Sequence, residues 1–193
     1  MAKLYFRYGS MGSGKSIDLL KVAYNYRERN LNVKIYTARI DDRYDIGKIT
    51  TRIGLSSDAD VFDKNTNFYR EVKKIENKPD CILIDEAQFI SKKQAMQLSD
   101  IVDYFKIPVI CYGLRSDFRM EFFTGSGPLM EIADKIEEIK TICECGAKAT
   151  TNMRLINGVP TMSGEQVYIG GNDSYKALCR KCHKKYTNHV PGI

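Results

Sequence analysis

The chain has 193 residues, of which 43% are hydrophobic and 28% charged, which is enough to bury one sizeable core with a small appendage and excludes a disordered polyelectrolyte. Its 30 Lys and Arg against 24 Asp and Glu give a net charge of +6, but several basic residues lie in the tail at 180–185, so we expect a solvated tail and no nucleic-acid partner. No apolar run approaches the roughly 20 residues that cross a bilayer, and the N-terminus lacks the apolar centre of a signal peptide, so we expect a cytoplasmic protein without membrane contact.

Strands and helices alternate over the first 140 residues. Residues 3–8 form a strand candidate, residues 17–24 carry apolar side chains at helical spacing, and residues 33–37 form a second strand. Two further buried strands follow at 81–84 and 109–112, with a helix between them that Ser91 can cap. Pro128 suits the first turn of a short helix that runs through Ala133. This order predicts an α/β domain over residues 1–140, with a mostly parallel sheet and helices on both faces.

The last third of the chain has short β-like segments in place of alternating strands and helices. Short β-like segments at 153–156 and 166–169, with Asn157-Gly158 as a tight turn after the first, predict a small β appendage over residues 141–193. Its four cysteines come in two close pairs, the arrangement with which a tetrahedral zinc site collects thiolates. These are Cys143, Cys145, Cys179 and Cys182.

The zinc site is expected to be structural, because four thiolates leave zinc no open position for water. A disulfide or unligated thiols are the alternatives, and His183 is a substitute ligand candidate. Cys81 and Cys111 lie inside apolar runs and are expected to be core residues.

A phosphate-binding loop follows the first strand. The segment Gly9-Ser10-Met11-Gly12-Ser13-Gly14-Lys15-Ser16 fits GxxxxGK[ST] at every defined position and lies between a strand and a helix. Its backbone amides and the helix N-terminus suit phosphate oxygens, Lys15 can reach the β and γ phosphates, and the Ser16 hydroxyl can bind magnesium. The motif predicts a P-loop NTPase-like fold that binds ATP or GTP.

A second acidic motif stands at the end of a buried strand. Asp85 follows the apolar residues 81–84 and is the expected magnesium-side carboxylate. Glu86 follows directly and lies where open α/β sheets place their ligand crevice, so it is a candidate general base. The alternative for Glu86 is a solvated loop carboxylate.

The run from Asp85 to Gln88 resembles the acidic motif of helicases. A helicase motor needs two nucleotide-binding cores, whereas this chain carries one phosphate loop in 193 residues. A small kinase and a nucleotide-binding module are the classes that remain.

Seven motifs in order resemble the thymidine kinases that combine a P-loop domain with a zinc-containing lasso domain. They are Gly9-Ser10-Met11-Gly12-Ser13-Gly14-Lys15-Ser16, Asp41-Asp42-Arg43-Tyr44, Asp85-Glu86-Ala87-Gln88-Phe89, Gly113-Leu114-Arg115-Ser116-Asp117-Phe118-Arg119, Arg154-Leu155-Ile156-Asn157-Gly158, Ile169-Gly170-Gly171-Asn172-Asp173-Ser174-Tyr175 and Cys179-Arg180-Lys181-Cys182. The resemblance implies ATP-dependent phosphorylation of the 5′-hydroxyl of thymidine or deoxyuridine, in pyrimidine deoxynucleotide salvage for DNA synthesis.

The resemblance also implies roles for individual residues. Glu86 matches the family's proton acceptor, and Arg43 its nucleotide-side arginine, with Arg119 as an alternative. The remaining nucleotide-side positions outside the phosphate loop are Asp41, Asp42, Asp85, Ala87 and Gln88. The positions implied for the nucleoside are Met11, Phe89, Phe118, Val167, Tyr168, Ile169, Gly170, Gly171 and Tyr175.

One feature departs from the family pattern. Cys143 and Cys145 are separated by one residue, whereas the family usually has two between its first pair.

The resemblance further implies a homotetramer and feedback inhibition by dTTP. Two other hypotheses are a zinc-ribbon ATPase that binds nucleic acid and a nucleotide sensor without transfer activity, in which Glu86 is idle.

Overall fold

The computed structural model describes residues 1–40, 46–168 and 174–188. In these residues the helices are α1 (Lys15–Arg27), α2 (Phe68–Lys74), α3 (Lys92–Phe105), α4 (Ser126–Ile132) and α5 (Arg180–Tyr186), and a 3-10 turn covers Ala87–Phe89. The strands are β1 (Leu4–Tyr8), β2 (Val33–Ala38), β3 (Lys48–Thr50), β4 (Ser56–Asp58), β5 (Asp60–Phe62), β6 (Cys81–Ile84), β7 (Val109–Gly113), β8 (Lys135–Glu138), β9 (Thr141–Ile142), β10 (Lys148–Ala149), β11 (Thr151–Ile156), β12 (Val159–Thr161) and β13 (Tyr175–Leu178).

A six-stranded sheet in the order β5-β2-β6-β7-β1-β8 forms the centre of the first domain. Every neighbouring pair in it is parallel. The strands β6, β7 and β1 lie side by side, so the loops that follow them meet at one edge of the sheet. The prediction of an α/β fold with a mostly parallel sheet is confirmed.

Helices cover both faces of this sheet. On one face α1 packs Leu19, Leu20 and Ala23 against the sheet, and on the other face α2, α3 and α4 cover a larger cluster. Alternate residues of β6 divide between the two clusters: Leu83 belongs to the first, while Ile82 belongs to the second. A strand buried on both faces reads as a continuous apolar run, which is why residues 81–84 lack polar alternation. Cys81 and Cys111 are fully buried free cysteines, as expected.

Small antiparallel sheets follow the last strand of the central sheet. β12, β11 and β13 form a three-stranded sheet, β9 and β10 form a hairpin, and α5 packs on this unit. Asn157 and Gly158 join β11 to β12 with φ angles of 50° and 79°, which fits the predicted tight turn. Since β8 pairs with β1 and β9 starts at Thr141, the boundary predicted between residues 140 and 141 follows the last strand of the central sheet.

One local prediction is wrong, and some short strands were not predicted. Residues 166–168 form no strand, because side chains of the appendage bind the carbonyls of Gln166 and Tyr168. β8 and the β3–β4 hairpin were not predicted, since polar residues fill them and their pairing depends on distant partners.

Among the described residues, no helix is both long and apolar enough to cross a membrane.

Candidate active site

The phosphate loop joins β1 to α1, and hydrogen bonds from the Lys15 side chain to its backbone hold it together. Gly14, at the N-cap of α1, has a φ of +83°, a left-handed conformation that favours glycine. The Lys15 ammonium donates hydrogen bonds to the carbonyl oxygens of Gly9 and Ser10 at 3.3 and 3.0 Å. The positive N-terminus of α1 and the Lys15 ammonium therefore converge on one loop, an arrangement suited to a polyphosphate.

Ser16 and Asp85 meet at the base of this loop. The Ser16 hydroxyl donates to Asp85 Oδ2 at 3.1 Å, and Asp85 is 4% exposed. Burial, together with the neighbouring Glu86 carboxylate, raises the pKa of Asp85. A hydroxyl and a carboxylate oxygen beside a phosphate site are the ligand types that magnesium prefers, so these residues fit that ion.

A cleft with a cavity volume of about 180 Å³ opens over the phosphate loop. Its wall includes Lys48 and Arg52, from the β3–β4 hairpin and the turn that follows β3. Arg52 Nη1 lies 3.9 Å from the position that a Cβ atom on Gly12 would occupy. The sequence analysis missed both basic residues, because the hairpin carries no apolar periodicity to mark it.

A second, smaller cavity of about 50 Å³ lies beside the cleft and is lined mainly by aromatic and apolar side chains. It brings together Phe89, Phe118, Val167, Tyr168 and Tyr175, five of the residues expected at the nucleoside. Met11, Glu86 and Leu114 line both cavities. The two cavities therefore meet at Glu86.

Glu86 is held at this junction by Gln88. The Gln88 side chain is 1% exposed, and its Oε1 accepts the Leu114 N–H at 3.0 Å. This bond fixes the amide orientation, since it leaves the Nε2 group to donate to the Glu86 carboxylate. A Cβ atom on Gly113 would lie 2.9 Å from Gln88 Oε1, so glycine at this strand end makes room for the amide. Gln88, expected on the nucleotide side, lines the second cavity instead.

Two buried polar residues that the sequence analysis missed complete the site. Asn152 in β11 accepts the Met11 N–H at 2.8 Å, and Asp117 accepts a hydrogen bond from the Gln166 amide at 3.1 Å. Both residues line the second cavity. They tie the appendage to the first domain, and no local pattern in the sequence marks such long-range contacts.

Some expected residues lie elsewhere. The Arg119 side chain lies over the Phe118 ring and near Asp117 and Glu121, not in the nucleotide cleft. Six of the site residues implied by the resemblance lie outside the described part of the chain: Asp41, Asp42, Arg43, Ile169, Gly170 and Gly171.

The four late cysteines form one cluster in the appendage. All four Sγ atoms lie within 4.8 Å of one another. Four thiolates around one zinc ion lie about 3.8 Å apart at normal bond lengths, and Sγ of Cys145 is 3.7 Å from Sγ of Cys179. A tight turn in which Gly146 donates to the Cys143 carbonyl at 2.9 Å allows the one-residue spacing. The cluster therefore fits zinc.

His183 is not part of this cluster. Its ring is fully buried, and Nε2 contacts the Phe118 carbonyl oxygen at 2.9 Å. Burial lowers the pKa of His183, which favours a neutral ring that donates from Nε2. His183 thus connects α5 to the wall of the second cavity.

Comparisons with known proteins agree with this geometry. A family model described as thymidine kinase matches residues 2–183. The chain is 53% identical over 193 residues to a thymidine kinase of Haemophilus influenzae, covering 98% of this chain and 100% of that one. It is 53% identical over 185 residues to a thymidine kinase of Listeria monocytogenes, covering 95% of this chain and 97% of that one.

A crystal structure of the Pif1 helicase from Candida albicans is a distant structural neighbour. It matches 73% of this chain and 36% of that chain at 17% identity and a TM-score of 0.46. These values support no conclusion about function.

Proposed function

Because the chain belongs to the thymidine kinase family, and is therefore an enzyme that phosphorylates thymidine with ATP, we propose that it also accepts deoxyuridine and uses Glu86 as its general base. The observation that carries the proposal is that Glu86 lines both cavities. A carboxylate at that junction can accept the 5′-hydroxyl proton while the hydroxyl oxygen attacks the γ-phosphorus and ADP leaves.

The cleft over the phosphate loop is the proposed ATP site. Phosphoryl transfer depends mainly on alignment and on neutralising charge at the phosphate oxygens. We propose that Lys15 contacts the β and γ phosphates, that Ser16 and Asp85 hold magnesium, and that Arg52 supplies further positive charge across the loop. Magnesium bound there supplies charge that polarises the transferred phosphoryl group. The nucleotide-side roles expected of Asp41, Asp42 and Arg43 stay predictions.

The second cavity is the proposed nucleoside site. Phe89 and Phe118 both contribute apolar atoms to the cavity wall, and Phe89 packs edge-on against Phe123 at 5.9 Å. A pyrimidine ring can stack on such a surface, while the backbone of Val167 and Tyr168, which line the cavity, can reach its polar edge. Met11 closes the cavity on the side of the phosphate loop. Because the lining is mainly apolar, we expect it to discriminate weakly against loss of a methyl group, and hence to admit deoxyuridine.

The remaining properties stay predictions. Zinc as a structural ion is expected from the four cysteines, and a cytoplasmic location from the sequence pattern. A homotetramer and inhibition by dTTP are implied by the family resemblance.

The test is product formation by purified, zinc-loaded protein with Mg-ATP and each of four nucleosides. We expect nucleoside 5′-monophosphate and ADP in equal amounts with thymidine and deoxyuridine, and little product with deoxycytidine or deoxyguanosine. Product from thymidine alone would contradict the proposed acceptance of deoxyuridine. Equal rates with all four nucleosides would contradict selection by the second cavity.

A further inference from the structure

Arg154 is a buried cation in the appendage to which no role has been assigned so far. It lies in β11 and is 3% exposed. Its guanidinium carbon is 3.9 Å from the centre of the Phe118 ring and 5.3 Å from that of Tyr175. The 3.9 Å separation places the cation over the face of Phe118, an attractive arrangement that strengthens when water is excluded.

The guanidinium also binds the segment of residues 165–168, here called the lasso segment, through its nitrogen atoms. Nη2 donates to the Tyr175 hydroxyl at 2.6 Å and to the Gln166 carbonyl at 3.0 Å, and Nη1 donates to the Glu165 carbonyl at 2.5 Å. The Tyr175 hydroxyl in turn donates to the Tyr168 carbonyl at 3.0 Å. One planar group thus fixes two backbone carbonyls directly and a third through Tyr175, an arrangement that needs donors on all three guanidinium nitrogens.

No carboxylate pairs with Arg154 within the described residues. Burying a cation without a counter-ion is costly, and an apolar side chain of similar size would fill the same space with less desolvation. Packing alone therefore does not account for an arginine at this position.

The partners of Arg154 line the second cavity, with the exception of Glu165. Phe118, Gln166, Tyr168 and Tyr175 are all in its wall, whereas Arg154 itself is not. Arg154 thus stands behind the wall and contacts four of its members from outside. Its substitution would release the aromatic residues and the lasso backbone together.

We propose that Arg154 is a positioning residue for the nucleoside site, which holds Phe118, Tyr175 and the backbone of residues 165–168 at the separation that a pyrimidine requires. The proposal rests on the assignment of the second cavity as the nucleoside site. It also gives the Tyr175 hydroxyl a specific partner within the protein.

The experiment compares steady-state kinetics of Arg154→Met, Arg154→Lys and Tyr175→Phe with the wild-type protein, at confirmed zinc content. We expect the KM for thymidine to rise about tenfold or more in Arg154→Met and the KM for ATP to change by less than about twofold. Arg154→Lys keeps the charge but loses the fork, so a smaller rise is expected. The KM for thymidine should rise no more in the double variant Arg154→Met/Tyr175→Phe than in Arg154→Met alone, because both substitutions disrupt the same hydrogen-bond network.

Arg115→Met is the matched control. Arg115 also lies over a ring, that of Tyr8 at 5.6 Å, and donates to the Thr150 carbonyl at 3.3 Å, but it lines neither site cavity. We expect its two KM values to remain within about twofold of wild type.

The outcomes separate the two proposals. Suppose that the wild-type protein turns over thymidine normally. An unchanged KM for thymidine in folded Arg154→Met would then overturn the role of Arg154 but not the proposed nucleoside site. Equal increases in the KM for thymidine and the KM for ATP would do the same. If Arg154→Met fails to fold, unchanged thymidine KM values in both Arg154→Lys and Tyr175→Phe would overturn it. Absence of thymidine turnover by the wild-type protein would overturn the proposed nucleoside site as well.

Discussion

Glu86 is held by its neighbours in a backbone conformation that residues other than glycine seldom adopt. Its φ and ψ angles are 52° and 37°, directly after β6 and before the 3-10 turn. This left-handed conformation costs roughly 1 kcal/mol. The Gln88 side chain compensates by linking the Glu86 carboxylate to the Leu114 amide. At the scale of single residues, the geometry of the proposed general base therefore depends on Gln88.

Replacing Gln88 by leucine tests this dependence. The substitution removes the acceptor of the Leu114 N–H and the Gln88 donor to the Glu86 carboxylate, so the orientation of Glu86 is less firmly fixed. We expect kcat to fall by about 10- to 100-fold, while the KM for ATP changes by less than about threefold, because Gln88 lines the second cavity and not the cleft over the phosphate loop. Steady-state kinetics measure both quantities.

Gln97→Leu is the control for this variant. Gln97 is a buried glutamine of α3 that accepts the Phe68 N–H at 3.0 Å, away from both cavities. Its loss should lower the free energy of unfolding by about 1–2 kcal/mol without a change in kcat. A Gln88→Leu protein with wild-type kcat would show that Glu86 does not need this support.

At the scale of elements, α1 carries the phosphate loop and is fixed to the sheet by one polar network. Arg7 Nη1 donates to Asp18 at 2.8 Å, and the Tyr112 hydroxyl donates to the same carboxylate at 3.0 Å. Burial alone would raise the pKa of Asp18, but hydrogen bonds from Lys21 and Tyr112 and the charge of Arg7 hold it below its ordinary value. The ionised form of Asp18 is therefore the one that stabilises the fold.

The pH dependence of Asp18→Asn follows from the direction of this shift. Because the folded pKa is lowered, the stabilisation is complete above the ordinary pKa of about 4 and is lost as the pH falls through the folded value. We expect Asp18→Asn to be about 1–2 kcal/mol less stable than wild type at pH 7, and the gap to close below about pH 4. Urea unfolding of both proteins from pH 7 to pH 3 measures it. A gap that stays constant with pH would contradict the assignment.

The helix α3 begins with a capping box at Ser91. The Ser91 hydroxyl accepts the Gln94 N–H at 3.2 Å, while the Gln94 side chain accepts the Ser91 N–H at 2.9 Å. We expect Ser91→Ala to lower the free energy of unfolding by about 1 kcal/mol without changing either KM. Ser99→Ala, within the same helix, is the control and should cost less than about 0.5 kcal/mol. Equal losses in the two variants would argue against the cap.

At the scale of the whole molecule, the appendage completes a site that the first domain only begins. Asn152 binds the Met11 amide of the phosphate loop, Gln166 binds Asp117, and His183 binds the Phe118 carbonyl. The small core beside these contacts contains Cys143, with Cys179 and Cys182 packed against it. A metal that fixes the cysteine cluster would therefore support the proposed nucleoside site through the appendage.

Removing zinc should affect the two substrates unequally. We expect a chelator to raise the KM for thymidine by about tenfold or more before it weakens ATP binding, and added zinc to reverse the effect. Cys179→Ser should lose zinc, whereas Cys81→Ala in the core of the first domain should retain it. Metal analysis and kinetics on the same samples test the prediction. Full thymidine affinity in zinc-free protein would contradict a structural role for the cluster.

The sequence predicts the parts of the site that depend on local spacing. The phosphate loop, the buried strand before Asp85 and the cap at Ser91 are each encoded within a few residues, and the structure has them where they were expected. The spacing of the two cysteine pairs likewise predicts the four-cysteine cluster. The spacing does not show that His183 lies outside this cluster.

Other parts of the structure depend on contacts between distant residues. β8 is half-exposed and polar, and only its pairing with β1 makes it a strand. Residues 166–168 have a strand-like sequence, but Arg154 and Tyr175 occupy the carbonyls of Gln166 and Tyr168. Arg52 reaches the cleft because the β3–β4 hairpin folds over the phosphate loop. Such placements follow from tertiary packing, which overrides local propensity.

The most direct test of the central claim is the single-turnover rate of dTMP formation by Glu86→Gln, measured by chemical quench with thymidine and Mg-ATP both bound. Glu138→Gln is the control, because Glu138 also ends a strand of the central sheet but lines neither site cavity. We predict that Glu86→Gln binds both substrates within about threefold of wild type and transfers the phosphoryl group at least about 100-fold more slowly, whereas Glu138→Gln transfers at the wild-type rate. A Glu86→Gln protein that transfers within about threefold of the wild-type rate would contradict the assignment of Glu86 as the general base.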